Sequence, residues 1–498
     1  MTLASADHCE VALQGGLSPI LAVVDPPESW SDWLIRAYRS TQTKLLVCGA
    51  LPPALAAELD VTVGTWTPDM QQAATCAPAP THGMSESSLG VRYRGAVAGV
   101  ASPIAYRPCL RYDFTDEWNN LGYGAIRMDG SIWACSQNIQ WTEQSASSGL
   151  ADLIIADEVV GAYAGLWDSP HASLLWFNRP VGPVDGHDWR LVETFLAHHR
   201  HAELPCQPVL AEVPAGYRCA VTMRLDCDED VESARALWTA YREMGAPFSL
   251  ALHAKVLEDP THHSLPREVL ATGGAILSHT ATHAPDWGGS YEAALWEGSH
   301  SAAAIQAVTN QPVRYAVSPF HQTPAYARAA LADAGYAGCI GGIIRNDPDF
   351  LMARAGVPPG SSEGFIGHSQ QCMLHGDCML DGDDPLCIFK QAFDLALASG
   401  TFLGYLDHPF SERYQYGWAS ETQRVEMHRQ FIKYIQGHDD VLWANESDTL
   451  DFLGDRASVR VSGYGSWSVH PGSANSRWQV AVEYAGTTHP LGTEGIHL

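Results

Sequence analysis

The sequence predicts an α/β protein: a parallel β/α unit, either a barrel or an open sheet, over residues 217–453, preceded by a separate α/β layer domain over 1–210 and followed by a short β-rich module over 454–498. Three observations lead there. From Ala220 to Leu453, short apolar runs alternate with stretches of helical periodicity. The chemically distinctive side chains of that region stand where strand-like runs end, which is where parallel α/β folds carry their chemistry. A stretch dense in breakers, Leu204-Pro205-Cys206-Gln207-Pro208 to Pro214-Ala215-Gly216, reads as a linker separating this region from what precedes it.

In the first region the apolar runs are Ile20 to Val24, Leu45 to Cys48, Val61 to Val63, Ala125 to Met128, Leu153 to Ala156 and Ser173 to Phe177. Helical spacing marks Glu28 to Thr43, through Trp30, Trp33, Leu34 and Tyr38, and Asp188 to Arg200, through Trp189, Leu191, Val192, Phe195 and Leu196. Strands alternating with helices suggest a flavodoxin-like or amidotransferase-like outline, with Pro68 to Met84 as a loop. No glycine-rich dinucleotide fingerprint, P-loop or nucleophile elbow occurs there.

In the second region, strands are expected at Ala220 to Leu225, Pro247 to Leu252, Gly274 to Leu277, Arg314 to Val317, Cys339 to Ile344 and Thr401 to Leu406. The helices between them are Ser233 to Met244, Glu292 to Thr309, Pro324 to Ala334, Leu386 to Ser399 and Ser420 to Gln436. Strand–helix repetition over this length implies right-handed crossovers and a parallel sheet. In the tail, Val459-Arg460-Val461 and Val480-Ala481-Val482 alternate as strands, forming a small module or extra strands packed on the second region.

Composition narrows the function. With 498 residues, 46% hydrophobic and 17% charged, the chain is an ordinary globular one with length for two or three cores. A formal net charge of -27 repels phosphate backbones and anionic bilayers, so nucleic acid is not an expected partner. Met1 to His8 lacks a basic leader, and the run Pro19 to Val24 is too short for a signal core or a membrane span. Twelve cysteines without C-x-x-C spacing read as reduced thiols, so a soluble cytoplasmic protein is expected.

The site candidates are an acidic strand end, Arg224-Leu225-Asp226-Cys227-Asp228-Glu229-Asp230, and, about fifty residues on, His279-Thr280-Ala281-Thr282-His283. Two imidazoles four residues apart can face one way from a helix or turn, and a carboxylate from another element can complete a divalent metal site. Alone, the acidic run fits a solvated loop or a helix N-terminus. His408, after Phe402 to Asp407, and Pro319-Phe320, after Tyr315 to Val317, add two further strand ends.

In this order residues 217–453 resemble the NodB-type polysaccharide deacetylases, carbohydrate esterase family four and its relatives. His279-Thr280-x-x-His283 matches the family's His-Ser/Thr-x-x-His motif; Gly335-Tyr336 and Tyr405-Leu406-Asp407-His408 match later landmarks. The resemblance implies a distorted parallel (β/α) barrel of about seven strands. It also implies one divalent ion, zinc in the first place with cobalt, nickel or iron as alternatives, held by Asp228, His279 and His283. Asp226 becomes the base and His408 the acid, with Asp230 able to replace either aspartate. The oxyanion falls near Pro319 and Phe320.

Two departures from the family pattern stand out. Cys227 separates the usually adjacent aspartates, and Val317 stands where an arginine usually precedes the Pro-aromatic pair, a position that Arg224 can cover from the strand face of Asp226. In Phe365 to Leu380, His375 and Asp377 approach the cleft, Asp377 as the group orienting His408, and Trp287 forms either a sugar-stacking wall or core.

The expected reaction is metal-dependent hydrolysis of a carbon–nitrogen amide bond, N-deacetylation of an amino sugar or polysaccharide, with a carbohydrate or other small amide as partner. The alternatives are another amide, as in deformylase- and allantoinase-like relatives, or a non-catalytic carbohydrate-binding or assembly protein.

Overall fold

A computed structural model describes residues 20–75, 89–97, 99–102, 105–108, 135–179, 186–342, 356–358, 360–362, 364–370, 372–379 and 383–498. The run Ala125 to Met128 lies outside them. The second region forms a sheet with strand order Ile366–Gln370, Gly338–Gly342, Tyr315–Val317, Ala275–Ser278, Ser249–Leu252, Cys219–Cys227, Phe402–Asp407 and Cys372–Met373, with Val441–Ala444 also on Cys219–Cys227. Every pairing in it is parallel. Its two end strands, Ile366–Gln370 and Cys372–Met373, are almost consecutive in the chain. The sheet therefore curls round on itself as a distorted (β/α) barrel.

The strand Cys219–Cys227 is buried throughout and shows how the barrel is divided. Cys219, Val221, Met223, Leu225 and Cys227 pack outwards with helix residues such as Leu237, Trp238, Phe389 and Phe431. Ala220 faces a second cluster with Ala251, Leu277, Val317, Ile340, Ile366 and Phe402, the barrel interior. By two-residue alternation Arg224 and Asp226 share that inner face. The helix Glu446–Ser458, started by Asn445 accepting from the Asp448 N–H at 2.8 Å, closes the lower end through Leu450, Phe452 and Leu453.

The first region holds a mixed sheet. Ile20–Val24, Thr43–Cys48 and Ala172–Phe177 are parallel, and Glu158–Asp168, Gly149–Ile155, Gly90–Tyr93 and Tyr106–Pro108 continue antiparallel. A wholly parallel flavodoxin outline does not hold, because these later strands pair antiparallel. The loop expected from Pro68 begins instead as the helix Pro68–Thr75. Its start signals are a proline at the first position, Asp69 in the first turn and Thr67 Oγ1 accepting from the Met70 N–H at 3.2 Å.

The breaker-rich stretch is also more than a linker. Val209–Pro214 pairs antiparallel with Val480–Tyr484, and Thr487–Pro490 extends the pair. Val213, Val480, Val482 and Leu491 join the barrel's inner cluster, so these tail strands pack on the second region. Prolines at a strand's end and just before it hid this strand from the sequence reading. Among the described residues no helix is long and apolar enough to cross a membrane.

Candidate metal centre

Three strand ends converge at the upper rim. Asp226 ends the inner face of Cys219–Cys227, Asp228 follows one residue beyond that strand, His279 and His283 follow Ala275–Ser278, and His408 follows Phe402–Asp407. The histidine pair stands on a turn and not on a helix: Thr280 and His283 adopt φ 68 and φ 57. Left-handed backbone is costly for a β-branched threonine, so the surroundings must hold it. Thr280 Oγ1 accepts the His283 N–H at 2.8 Å. The buried Glu297 carboxylate, on the helix Tyr291–Thr309, accepts from Ala281 N at 2.8 Å, Thr282 N at 2.9 Å and Thr282 Oγ1 at 2.6 Å.

This turn aims both imidazoles at one carboxylate oxygen. His279 Nε2 and His283 Nε2 each stand 3.5 Å from Asp228 Oδ1. His279 Nδ1 donates to the Val317 carbonyl at 3.2 Å, which leaves Nε2 with its lone pair toward Asp228. Asp228 Oδ1 is buried and has no hydrogen-bond partner among the described residues. Ligand atoms on a tetrahedral ion with bonds of about 2.0–2.1 Å lie about 3.3 Å apart. An orphaned carboxylate oxygen with two imidazole nitrogens at nearly that separation suits a divalent cation, and these three residues form the one such group found among the described residues. Burial and the neighbouring His279 push His283 down to about 4, so its ring is neutral, as a ligand must be.

Asp226 is almost fully buried beside them. Its Oδ1 and Oδ2 accept from Arg224 Nε at 2.6 Å and Nη2 at 3.1 Å. Burial alone would raise this carboxyl, but the Arg224 charge, with His279 and His408 adding to it, holds it down at about 2. Arg224 has no exposed side-chain surface, so its place is beside Asp226 in the interior and not on the substrate-facing surface.

His408 faces the metal group from the other side, its Nε2 3.7 Å from Asp228 Oδ2. Its Nδ1 shares a 2.8 Å hydrogen bond with His375 Nε2, and Tyr416 stacks on its ring at 4.2 Å and 16°. Burial and the nearby His408 push His375 down to about 3; being neutral, it can accept from His408 Nδ1–H. The acidic group here is Asp407, not Asp377. Asp377 is exposed on the short turn Gly376–Cys378 and makes no described bond to His408. Asp407 accepts the His408 N–H at 2.7 Å and His428 Nε2–H at 2.9 Å, and lies 3.5 Å from Arg424.

Burial would raise Asp407, but the bond from His428 and the Arg424 charge hold it down at about 2. A depressed carboxyl stabilises the fold above the ordinary carboxylate range of about 4, and that contribution is lost as the pH falls towards about 2. The metal-free protein is therefore expected to lose thermal stability steeply between about pH 4 and pH 2. Asp407→Asn should flatten that slope in a series of melting curves.

The remaining expected site residues divide. Phe320, 36% exposed with φ 51, lies 4.9 Å ring to ring from His283 on the turn begun by Pro319, so both border the site. Trp287 does not: it is fully buried with Ala294, Leu331 and Tyr336, and its Nε1 donates to the Gln322 carbonyl at 3.2 Å. It is core and not a sugar platform. Trp287→Ala is expected to cost about 3–5 kcal/mol in denaturant unfolding. Asp230 is exposed and accepts the Glu232 N–H at 2.9 Å, outside the metal group. Sequence reasoning missed Tyr416, whose hydroxyl donates to Asp228 Oδ2 at 3.4 Å, and Tyr414; both line a small open cleft beside Asp228.

No family model and no curated protein matches the chain. Among solved structures it is similar to polysaccharide deacetylases and family 4 carbohydrate esterases. A protein assigned as a polysaccharide deacetylase from Mycobacterium smegmatis is 15% identical, with 50% of this chain and 94% of that one covered at a TM-score of 0.40. Puue allantoinase is 15% identical over 49% and 93% at 0.37, and the family 4 carbohydrate esterase from Streptomyces lividans 16% identical over 46% and 92% at 0.30.

Proposed function

We propose that this protein is a divalent-metal-dependent hydrolase of a carbon–nitrogen amide bond, acting on the N-acetyl group of an amino sugar. The observation that carries the reading is the orphaned Asp228 Oδ1 facing His279 and His283, with a carboxylate and an imidazole on either side of it. An amide is a weak electrophile with a poor leaving group, so its hydrolysis needs an activated water, a stabilised oxyanion and a protonated nitrogen. A cation held by Asp228, His279 and His283, zinc being the best match to three such ligands, would polarise the carbonyl and acidify water.

The chain's own groups supply the proton traffic. Asp226 takes the proton from water: Arg224 uses one lone pair on each oxygen, and a carboxylate offers about four acceptor positions. His408 donates from Nε2 to the departing nitrogen, while His375 fixes its ring by accepting from Nδ1–H. The main chain at Pro319–Phe320 borders the oxyanion, and Tyr414 and Tyr416 offer aromatic surface to a sugar ring. Glu229 and Asp230 at the mouth disfavour polyanionic substrates.

Zinc-loaded protein incubated with N-acetylglucosamine and chito-oligosaccharides should release acetate and a free amine in equal amounts. Turnover of formamides or cyclic ureides without acetate release would move the substrate and keep the chemistry. A zinc-loaded protein inert towards all of them would remove the catalytic reading.

A further inference from the structure

Between the two segments that bear the metal group lies a third strand end whose histidine has no part in the chemistry above. His253 follows Ser249–Leu252, which pairs on one side with the strand leading to Asp228 and on the other with the strand leading to His279. It is 5% exposed, and its Nε2–H donates to the main-chain carbonyl of Asp228 at 2.6 Å. The next two residues hold the other side: Ala254 N donates to the Thr280 carbonyl at 3.0 Å and Lys255 N to the Ala281 carbonyl at 3.2 Å. The segment His253–Lys255 thus clasps the carboxylate loop and the left-handed histidine turn together.

We propose that His253 is a positioning residue that holds Asp228 in register with His279 and His283 through the Asp228 main-chain carbonyl. The inference rests on the reading of those three residues as a metal site. His253 is not a fourth ligand, since the nitrogen nearer Asp228 is committed to the carbonyl and His253 stands outside the group of converging atoms. The bond matters because Asp228 lies one residue past the end of its strand, where ladder hydrogen bonds no longer fix the backbone. Without it the carboxylate can swing away from two imidazoles that Glu297 and Val317 keep in place. Such supporting bonds typically change metal affinity by about 10–100-fold.

The test is calorimetric titration of zinc into metal-free full-length protein, comparing wild type, His253→Ala, His253→Gln and His279→Ala, with far-ultraviolet circular dichroism on each. Wild type should bind one zinc and His279→Ala none. His253→Ala should bind about 10–100-fold more weakly, and His253→Gln, whose amide can donate to the same carbonyl, should recover most of that loss. Cobalt-substituted wild type and His253→Gln should give the same visible spectrum, because no ligand has changed. Wild-type affinity in His253→Ala, or equal losses in the alanine and glutamine variants, would overturn the proposal while the metal reading stands. A changed cobalt spectrum in His253→Gln would make His253 a ligand and overturn it as well. If His253→Ala fails to fold, the glutamine variant and its spectrum carry the decision. Wild type that binds no zinc removes the metal reading itself, and the proposal with it.

Discussion

Asp226→Asn is expected to lower turnover by about 10²–10⁴-fold while leaving bound metal and fold intact. The asparagine oxygen still accepts from Arg224, so the variant keeps its fold at a lower stability, the buried Arg224 charge having lost its counter-ion, but the group can no longer take a proton. Asp226 stands outside the three converging ligands, so metal content should not follow activity. Metal analysis and steady-state rates on the same preparations check this. A variant that turns over at the wild-type rate would move the base elsewhere, and one that loses metal would make Asp226 a ligand.

Arg224→Met is expected to destabilise the barrel strongly, by about 3–5 kcal/mol at neutral pH. Arg224 and Asp226 are 0% and 2% exposed, and the arginine is the charge that offsets the burial of the carboxylate. Removing it strands a charge in the interior. The pH signature separates this from lost packing. In wild type Asp226, held at about 2, stabilises the fold above about pH 4, and the contribution fades as the pH falls towards 2. In the variant burial is opposed only by His279 and His408 and the carboxyl rises, so the penalty is greatest where it is ionised and shrinks as it is protonated. Denaturant unfolding of both proteins at pH 7 and pH 5 should show the gap narrowing at the lower pH. A gap independent of pH would mean that packing alone was lost.

The residues of the candidate site stand out in the sequence because their signal is local: a fixed histidine spacing, an acidic strand end, a histidine after an apolar run. The barrel was legible for a related reason, since buried parallel strands read as unbroken apolar runs between amphipathic helices. What supports the site was not. Glu297, His253, Tyr416 and the pairing of His375 with His408 are set by which strand lies beside which, and the residues involved are 15 to 188 positions from their partners. Asp377 fits the orienting role by residue type alone, while Asp407, adjacent to His408 in the chain, is the carboxylate that the strand end brings to it. Of the two places the sequence leaves open for Trp287, the backbone decides for the core: it and Asp286 take left-handed conformations, and Gly288 and Gly289, at φ 82 and φ 80, turn the chain so that the ring goes inwards. The strand Val209–Pro214 was hidden because its partner, Val480–Tyr484, lies at the far end of the sequence.

The most direct test of a metal centre at Asp228, His279 and His283 is the divalent metal content of the full chain, purified without chelators or a histidine tag, beside His279→Ala prepared identically. About one ion per chain in the wild type, lost in the variant, is the result predicted for a three-ligand site with one buried imidazole removed. Wild type that carries no metal and takes up no added zinc would contradict the account at its foundation.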